Sequence, residues 1–166
     1  MSNRMLWRYG ATNPRVSPVD SAQVVEIGDL VWLNTDDVRP ASAVSYAGGL
    51  ATAQEALVDD FLGVAMQSSP DGNTEDIRVA TSGVFEFDCA ADQFELGDLV
   101  AAADNSGSTA LEDQKVVSLG DGHADADVPR AIGKAAKREG SNVTRVLVEI
   151  RSTVMTGGYP LGTASV

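Results

Sequence analysis

The sequence predicts an all-β fold: a body built from two similar β units, with one short helix near 52–60 and extended N- and C-terminal arms. The first observation behind this is a phrase written twice. Glu26-Ile27-Gly28-Asp29-Leu30-Val31 returns 69 residues later as Glu95-Leu96-Gly97-Asp98-Leu99-Val100. Phe61-Leu62-Gly63-Val64-Ala65 is answered by Ala131-Ile132-Gly133-Lys134-Ala135 at an offset of 70, and Ile77-Arg78-Val79 by Thr144-Arg145-Val146 at 67. Landmarks that keep their order and nearly their spacing indicate one unit used twice. The second observation is sixteen glycines among frequent Val, Thr and Ser, which favour short strands and turns over long helices. The third is that apolar runs are short, alternating or β-branched, and closed by polar turn residues. The chain divides into an arm at 1–20, a body at 21–151 with units at about 23–89 and 93–150, and a second arm at 152–166.

Residues 1–20 show neither helical nor strand periodicity, and Pro14 and Pro18 hold the chain extended. They nevertheless carry Met5, Leu6, Trp7 and Tyr9, which a solvated tail cannot bury by itself. Either the arm folds back on its own body or it lies on another molecule. Val24, Val25 and Ile27 open a strand reading that leads into the Gly28-Asp29 turn and the run Leu30 to Leu33. Gly28 and Gly97 are expected at positive φ, with Asp29 and Asp98 bonding turn amides, a structural role. Thr52-Ala53-Gln54-Glu55 reads as a capping box for a short helix that Gly63 ends. Strands are expected at Leu62 to Met66, Ile77 to Thr81 and Val84 to Cys89, the last placing Phe85, Phe87 and Cys89 on one face. In the second unit they are expected at Leu99 to Ala103, Lys115 to Leu119, Ala131 to Lys137 and Val143 to Ile150. In the final strand Thr144, Val146, Val148 and Ile150 are expected to face one way. The glycines and proline of Ser152 to Val166 exclude a persistent helix.

The net charge of −12 is unevenly placed: residues 1–20 carry +2, residues 151–166 carry +1, and the remainder −15. An acidic body repels phosphate backbones and anionic lipid, so neither nucleic acid nor membrane is expected as a partner. Mildly basic ends could contact acidic surfaces, including copies of the same chain. No apolar run approaches the roughly 18 residues that cross a bilayer, and the N-terminus lacks signal-peptide features, so synthesis in a cytoplasm is the expectation. One cysteine excludes an internal disulfide, and Asn142-Val143-Thr144 is read as a chance sequon.

Chemistry is sparse. His123 is the only histidine, no Gly-x-Ser-x-Gly elbow supplies a nucleophile, and no phosphate-binding glycine loop is present. Cys89 reads as a small core residue. Asp121, His123, Asp125 and Asp127 stand at alternate positions, but Ala126 and Ile132 occupy the places where an EF-hand needs Gly and Glu. Asp36-Asp37 and Asp59-Asp60 read as a solvated turn and a helix end. The expectation is no enzyme, no cofactor and no metal, with an enzyme site near Asp121 to Asp127 as the alternative from a different class.

Gly-Asp-Leu-Val after a short apolar lead, Phe-Leu-Gly-Val-Ala after a short helix, Val-Ala-Thr-Ser-Gly-Val-Phe-Glu-Phe, a second Gly-Asp and a closing Arg-Val-Leu-Val-Glu-Ile together resemble the small capsid cement, or head decoration, proteins of tailed bacteriophages. The similarity covers roughly residues 23–150. It implies a β-barrel-like or β-tulip body, assembly as homotrimers, and a place on the virion exterior that stabilises the expanded head. The implied partners are the major capsid protein and neighbouring copies. Met5, Leu6, Trp7, Arg8, Tyr9 and Tyr159 are the candidate capsid or neighbour contacts. A cellular or tail-associated β-rich interaction module is the other reading.

Overall fold

The computed structural model describes residues 3–120 and 125–159. In chain order the strands are β1 Trp7–Tyr9, β2 Arg15–Pro18, β3 Leu30–Asn34 and β4 Asp37–Pro40, then helix α1 Leu50–Asp59. β5 Phe61–Ala65, β6 Asp76–Ala80, β7 Val84–Phe94, β8 Leu99–Asp104, β9 Leu111–Ser118, β10 Gly133–Ala135 and β11 Glu139–Ile150 follow, and then helix α2 Thr153–Thr156. One sheet runs β2-β6-β5-β3-β4 and the other β7-β11-β10-β8-β9, with β1 added to β7. The second closes into a five-stranded barrel because β7 also pairs parallel with β9, Asp88 to Lys115 and Cys89 to Val116. The first is drawn round in the same way by a parallel bridge from Val19 to Val38.

The two sheets therefore have one topology, and their registers coincide. Val16 pairs with Arg78 and Ile77 with Ser17, while Glu86 pairs with Leu147 and Val146 with Phe87, so the closing strands correspond 69 residues apart. Ile77-Arg78-Val79 is matched by Val146-Leu147-Val148, not by Thr144-Arg145-Val146 as expected from the letters. An irregularity between Val143 and Arg145 displaces the pairing there and leaves Thr144 exposed. The boundary between units also moves. Val84–Phe94 opens the second unit rather than ending the first, and the first opens at Arg15, inside the expected arm.

The glycine shared by the second pair of echoes has a packing cause. A Cβ on Gly63 would lie 1.7 Å from the Ala80 carbonyl oxygen, and one on Gly133 would lie 2.3 Å from that of Glu149. Only a glycine lets these neighbouring strands approach so closely.

Residues 1–20 do not stand apart from the body. β1 pairs with β7, Trp7 with Phe85 and Tyr9 with Val84, and β2 supplies a strand to the first sheet. The edge of β2 equivalent to the one that β1 occupies on β7 carries Pro14 and Pro18. These lack N–H donors, and among the described residues no strand is added there. Val24 to Ile27 form no strand; Val25 makes an isolated bridge to Ser69 before the Gly28 turn.

The helix begins at Leu50, two residues earlier than the capping box suggested. Gly49, at φ 85, is its N-cap, and no side chain caps the end. Thr52 lies within the first turn, with its side chain beside Gly48, rather than at the cap position. Ala53, Gln54, Leu57 and Val58 are its buried face. Residues 153–156 form a helical turn where none was expected, because Ser152 caps it by accepting from the Met155 amide at 3.2 Å.

The largest apolar cluster joins both units: Leu6, Leu30, Leu57, Phe61 and Val64 pack with Phe85, Phe87, Phe94, Ile132 and Val148. A smaller cluster around Val31, Val38, Leu62 and Val79 fills the other face of the first sheet. Alternation along β3, with Leu30 in one cluster and Val31 in the other, shows that this sheet is buried on both faces. Burial of a side chain such as Phe85 or Leu57 is worth roughly 1.5–3 kcal/mol each, and the shared cluster makes the two units one cooperative body.

Candidate functional site

The two Gly-Asp turns are built alike. Gly28 has φ 101 and Gly97 φ 89. The Asp29 carboxylate accepts from the Glu26 amide at 2.8 Å, and Asp98 accepts from Glu95 at 2.8 Å. Gly28 N–H donates to Ala65 and Gly97 N–H to Ala135, both at 2.9 Å. In both turns the glycine takes a positive φ and the carboxylate that follows it accepts from a turn amide. Asp29 does more than its twin: it is fully buried and also accepts from the Gln114 side chain at 2.8 Å, which ties the first unit to β9. Burial raises its carboxyl above the usual carboxylate range, against the lowering effect of the Glu26 amide and Gln114.

The same seam holds a second buried acid. Asp113 accepts from Ser42 N–H at 2.6 Å and Ser42 Oγ at 3.0 Å, and desolvation lifts it to about 6. Tyr46 donates to Asp104 at 2.8 Å, and Gln54 donates to the Ala102 carbonyl at 2.7 Å while accepting from Arg130 at 2.9 Å. These bonds cross between the units and are used for assembly of the body.

The expected chemistry is likewise structural where it can be seen. Cys89 is buried, and desolvation pushes its thiol up to about 11, so it is not held as a thiolate. Asp121 and His123 lie outside the described residues. Asp127 pairs with Arg130 at 3.1 Å beside the short 3-10 turn Val128–Arg130, which makes it part of a packed corner rather than a solvated loop. Among the described residues no three His, Cys, Asp or Glu side chains converge on a point where a metal ion could sit, and no helix is long and apolar enough to cross a membrane.

The candidate contact residues separate by strand alternation. Leu6 points inward and is 2% exposed, against the place where Gly28 would carry a Cβ, so it belongs to the core and cannot reach a neighbour. Arg8 is held by Glu86 at 2.7 Å. Met5, Trp7 and Tyr9 point outward, with Trp7 42% and Tyr9 51% exposed. The Trp7 indole N–H donates to the Gly10 carbonyl at 3.0 Å, which fixes the strand's end. Tyr159 is half-buried between Lys134 and Arg151, each 5.1 Å from its ring, against a small cluster of Leu99, Val128 and Ala131. That burial pushes its phenol up to about 12, and contact with a neighbour through this ring would require displacing its own packing.

One exposed residue was not singled out from the sequence. Leu96, at the tip of the second Gly-Asp turn, is 71% exposed. With Tyr9 it rims a groove of about 590 Å³ whose wall includes Val84, Gly97, Lys134 and Glu149. Two Gly-Asp turns and a single N-terminal arm are visible in the sequence, and one arm can cover only one of the two. A row of large apolar side chains on a strand fixed to a barrel is suited to holding a partner surface.

A sequence model described as phage cement protein matches residues 38–150. No curated protein matches the chain. Among solved structures, the chain is similar to the head fiber gp8.5 N base in bacteriophage phi29, with a TM-score of 0.45 and 14% identity over 82% of this chain and 93% of that one.

Proposed function

We propose that this chain, which belongs to the phage cement protein family, lies on the outer surface of a phage head and stabilises the expanded shell. It is a structural component of a virion and not an enzyme. The observation that carries the outer-shell reading is the group Met5, Trp7 and Tyr9, large apolar side chains left in solvent, of which Trp7 and Tyr9 stand on β1, the strand paired with β7. Such groups gain about 1.5–3 kcal/mol each on full burial, and a pre-ordered strand avoids most of the ordering cost a loose arm would meet. A protein that binds the expanded lattice and not its precursor stabilises that lattice by mass action, without any reaction.

The partners in this reading are the major capsid protein and neighbouring copies, with assembly as a homotrimer. N-terminal residues supply attachment through Met5, Trp7 and Tyr9, and the two-unit body supplies the platform. Contacts among many copies on one lattice add avidity. Co-sedimentation of the purified protein with heads assembled without it tests the reading, with Trp7→Ala expected to bind more weakly than the parent chain. Light scattering coupled to size exclusion tests the trimer. Binding to tails but not to heads would overturn the proposal.

A further inference from the structure

The two units are near copies, yet their Gly-Asp turns are covered differently. In the first unit the chain's own N-terminal residues lie over the turn. Asn3 Oδ1 accepts from Ile27 N–H at 2.7 Å, and Arg4 N–H donates to the Ile27 carbonyl at 3.1 Å. The Arg4 carbonyl and the Leu6 side chain lie 2.8 and 3.1 Å from where a Gly28 Cβ would be. An extended segment thus fills this site with main-chain hydrogen bonds and one leucine.

In the second unit the equivalent position is open. Leu96 corresponds to Ile27, and a Cβ on Gly97 would meet nothing within 4 Å. Among the described residues neither the N–H nor the carbonyl of Leu96 has a hydrogen-bond partner. The groove above it is rimmed by Leu96 and Tyr9, and its floor also differs from its twin: Lys134 and Glu149, paired in register, stand where the first unit has Val64 and Ala80. The fold therefore repeats a peptide-binding geometry and changes its side-chain chemistry.

We propose that the groove over Leu96 and Gly97 is the docking site for an extended peptide segment of the phage shell. The inference rests on the outer-shell function proposed above. The segment donates a main-chain N–H to the Leu96 carbonyl and presents an acceptor to the Leu96 N–H. It packs one apolar side chain against Leu96 and Tyr9, and it turns a polar or charged side chain, not an aliphatic one, toward Lys134 and Glu149. A second copy's N-terminal segment does not meet this description, because Asn3 to Leu6 are already seated on their own Gly28 turn and end in an aliphatic side chain buried in the shared core. Main-chain pairing supplies affinity in such sites and the alternating side chains supply selectivity.

The test uses the full chain and heads assembled without it. Leu96→Glu leaves the melting temperature within about 2 °C of the parent, as an exposed substitution does, and weakens head binding roughly tenfold or more. Val24→Glu, an exposed control on the first unit, binds as the parent does. A photo-crosslinking residue at position 96 on decorated heads, read by mass spectrometry, links to the shell protein. Parent-like binding by Leu96→Glu, or cross-links only to copies of this chain, overturns the inference while the functional reading stands. Failure of the parent chain itself to bind heads overturns both.

Discussion

Leu6→Ala separates an N-terminus that is part of the fold from one that is a loose arm. Leu6 is 2% exposed, packs over Gly28 and belongs to the cluster that joins both units. Truncation to Ala removes three carbons from a site walled by the Gly28 turn and by strand β7, so little collapse can fill the space. Buried Leu→Ala changes cost about 2–5 kcal/mol, and a value near 3 kcal/mol fits a residue close to the chain's beginning. For a chain of this size each kcal/mol moves the melting temperature by about 2–4 °C, giving a fall of roughly 6–12 °C. Trp7→Ala, next door but 42% exposed, should cost about 1 kcal/mol or less. Thermal melts and urea titrations followed by circular dichroism give both numbers. Equal and small losses for the two variants would refute the docking of residues 3–9 on the body.

Gly63→Ala should lose about 3 kcal/mol or more, because the new Cβ would meet the Ala80 carbonyl; urea unfolding reads it, and a loss below 1 kcal/mol would mean that the strands separate freely. Asp29→Ala should be costlier than Asp98→Ala: each leaves a turn amide unpaired at about 1–3 kcal/mol, but only Asp29→Ala also orphans the buried Gln114 side chain. Asp113, lifted to about 6 by burial, binds its proton more tightly folded than unfolded, so its contribution falls as pH rises from about 4 to about 6. Asp113→Asn keeps an acceptor for Ser42 and should flatten stability across that window, by at most about 3 kcal/mol, in melts at pH 4, 5, 6 and 7. Deleting residues 1–20 removes β2 with β1, and should abolish cooperative unfolding in calorimetry.

The repeat was legible in the sequence because its cause is local. The Gly-Asp turns need a positive φ and a carboxylate, and Gly63 and Gly133 each face a neighbouring carbonyl, so the same local geometry calls for the same letters in both copies. The third echo misled because what the closing strands share is alternation, not identity: Ile77 and Val146 are equivalent, while the Arg of Arg78 and Arg145 coincide by chance. Residues 7–9 and 15–18 carry no period long enough to mark a strand, and their pairing with β7 and β6 is a tertiary event invisible in a three- or four-residue window. The inward turn of Leu6 was hidden for the same reason, while Met5, Trp7 and Tyr9 were legible as a group that needs covering. Leu96 looked like one more apolar residue in a turn. Its exposure depends on which Gly-Asp turn the single N-terminus covers, and that choice is made in space.

A reconstruction of virions or decorated heads at a resolution that shows side chains tests the central claim most directly. The account predicts density for the two-unit body on the outside of the shell, with Trp7, Tyr9 and Leu96 turned toward protein and an extended shell segment in the groove over Gly97. Density for this chain on the tail or inside the head, or on the shell with those three residues facing solvent, would contradict it.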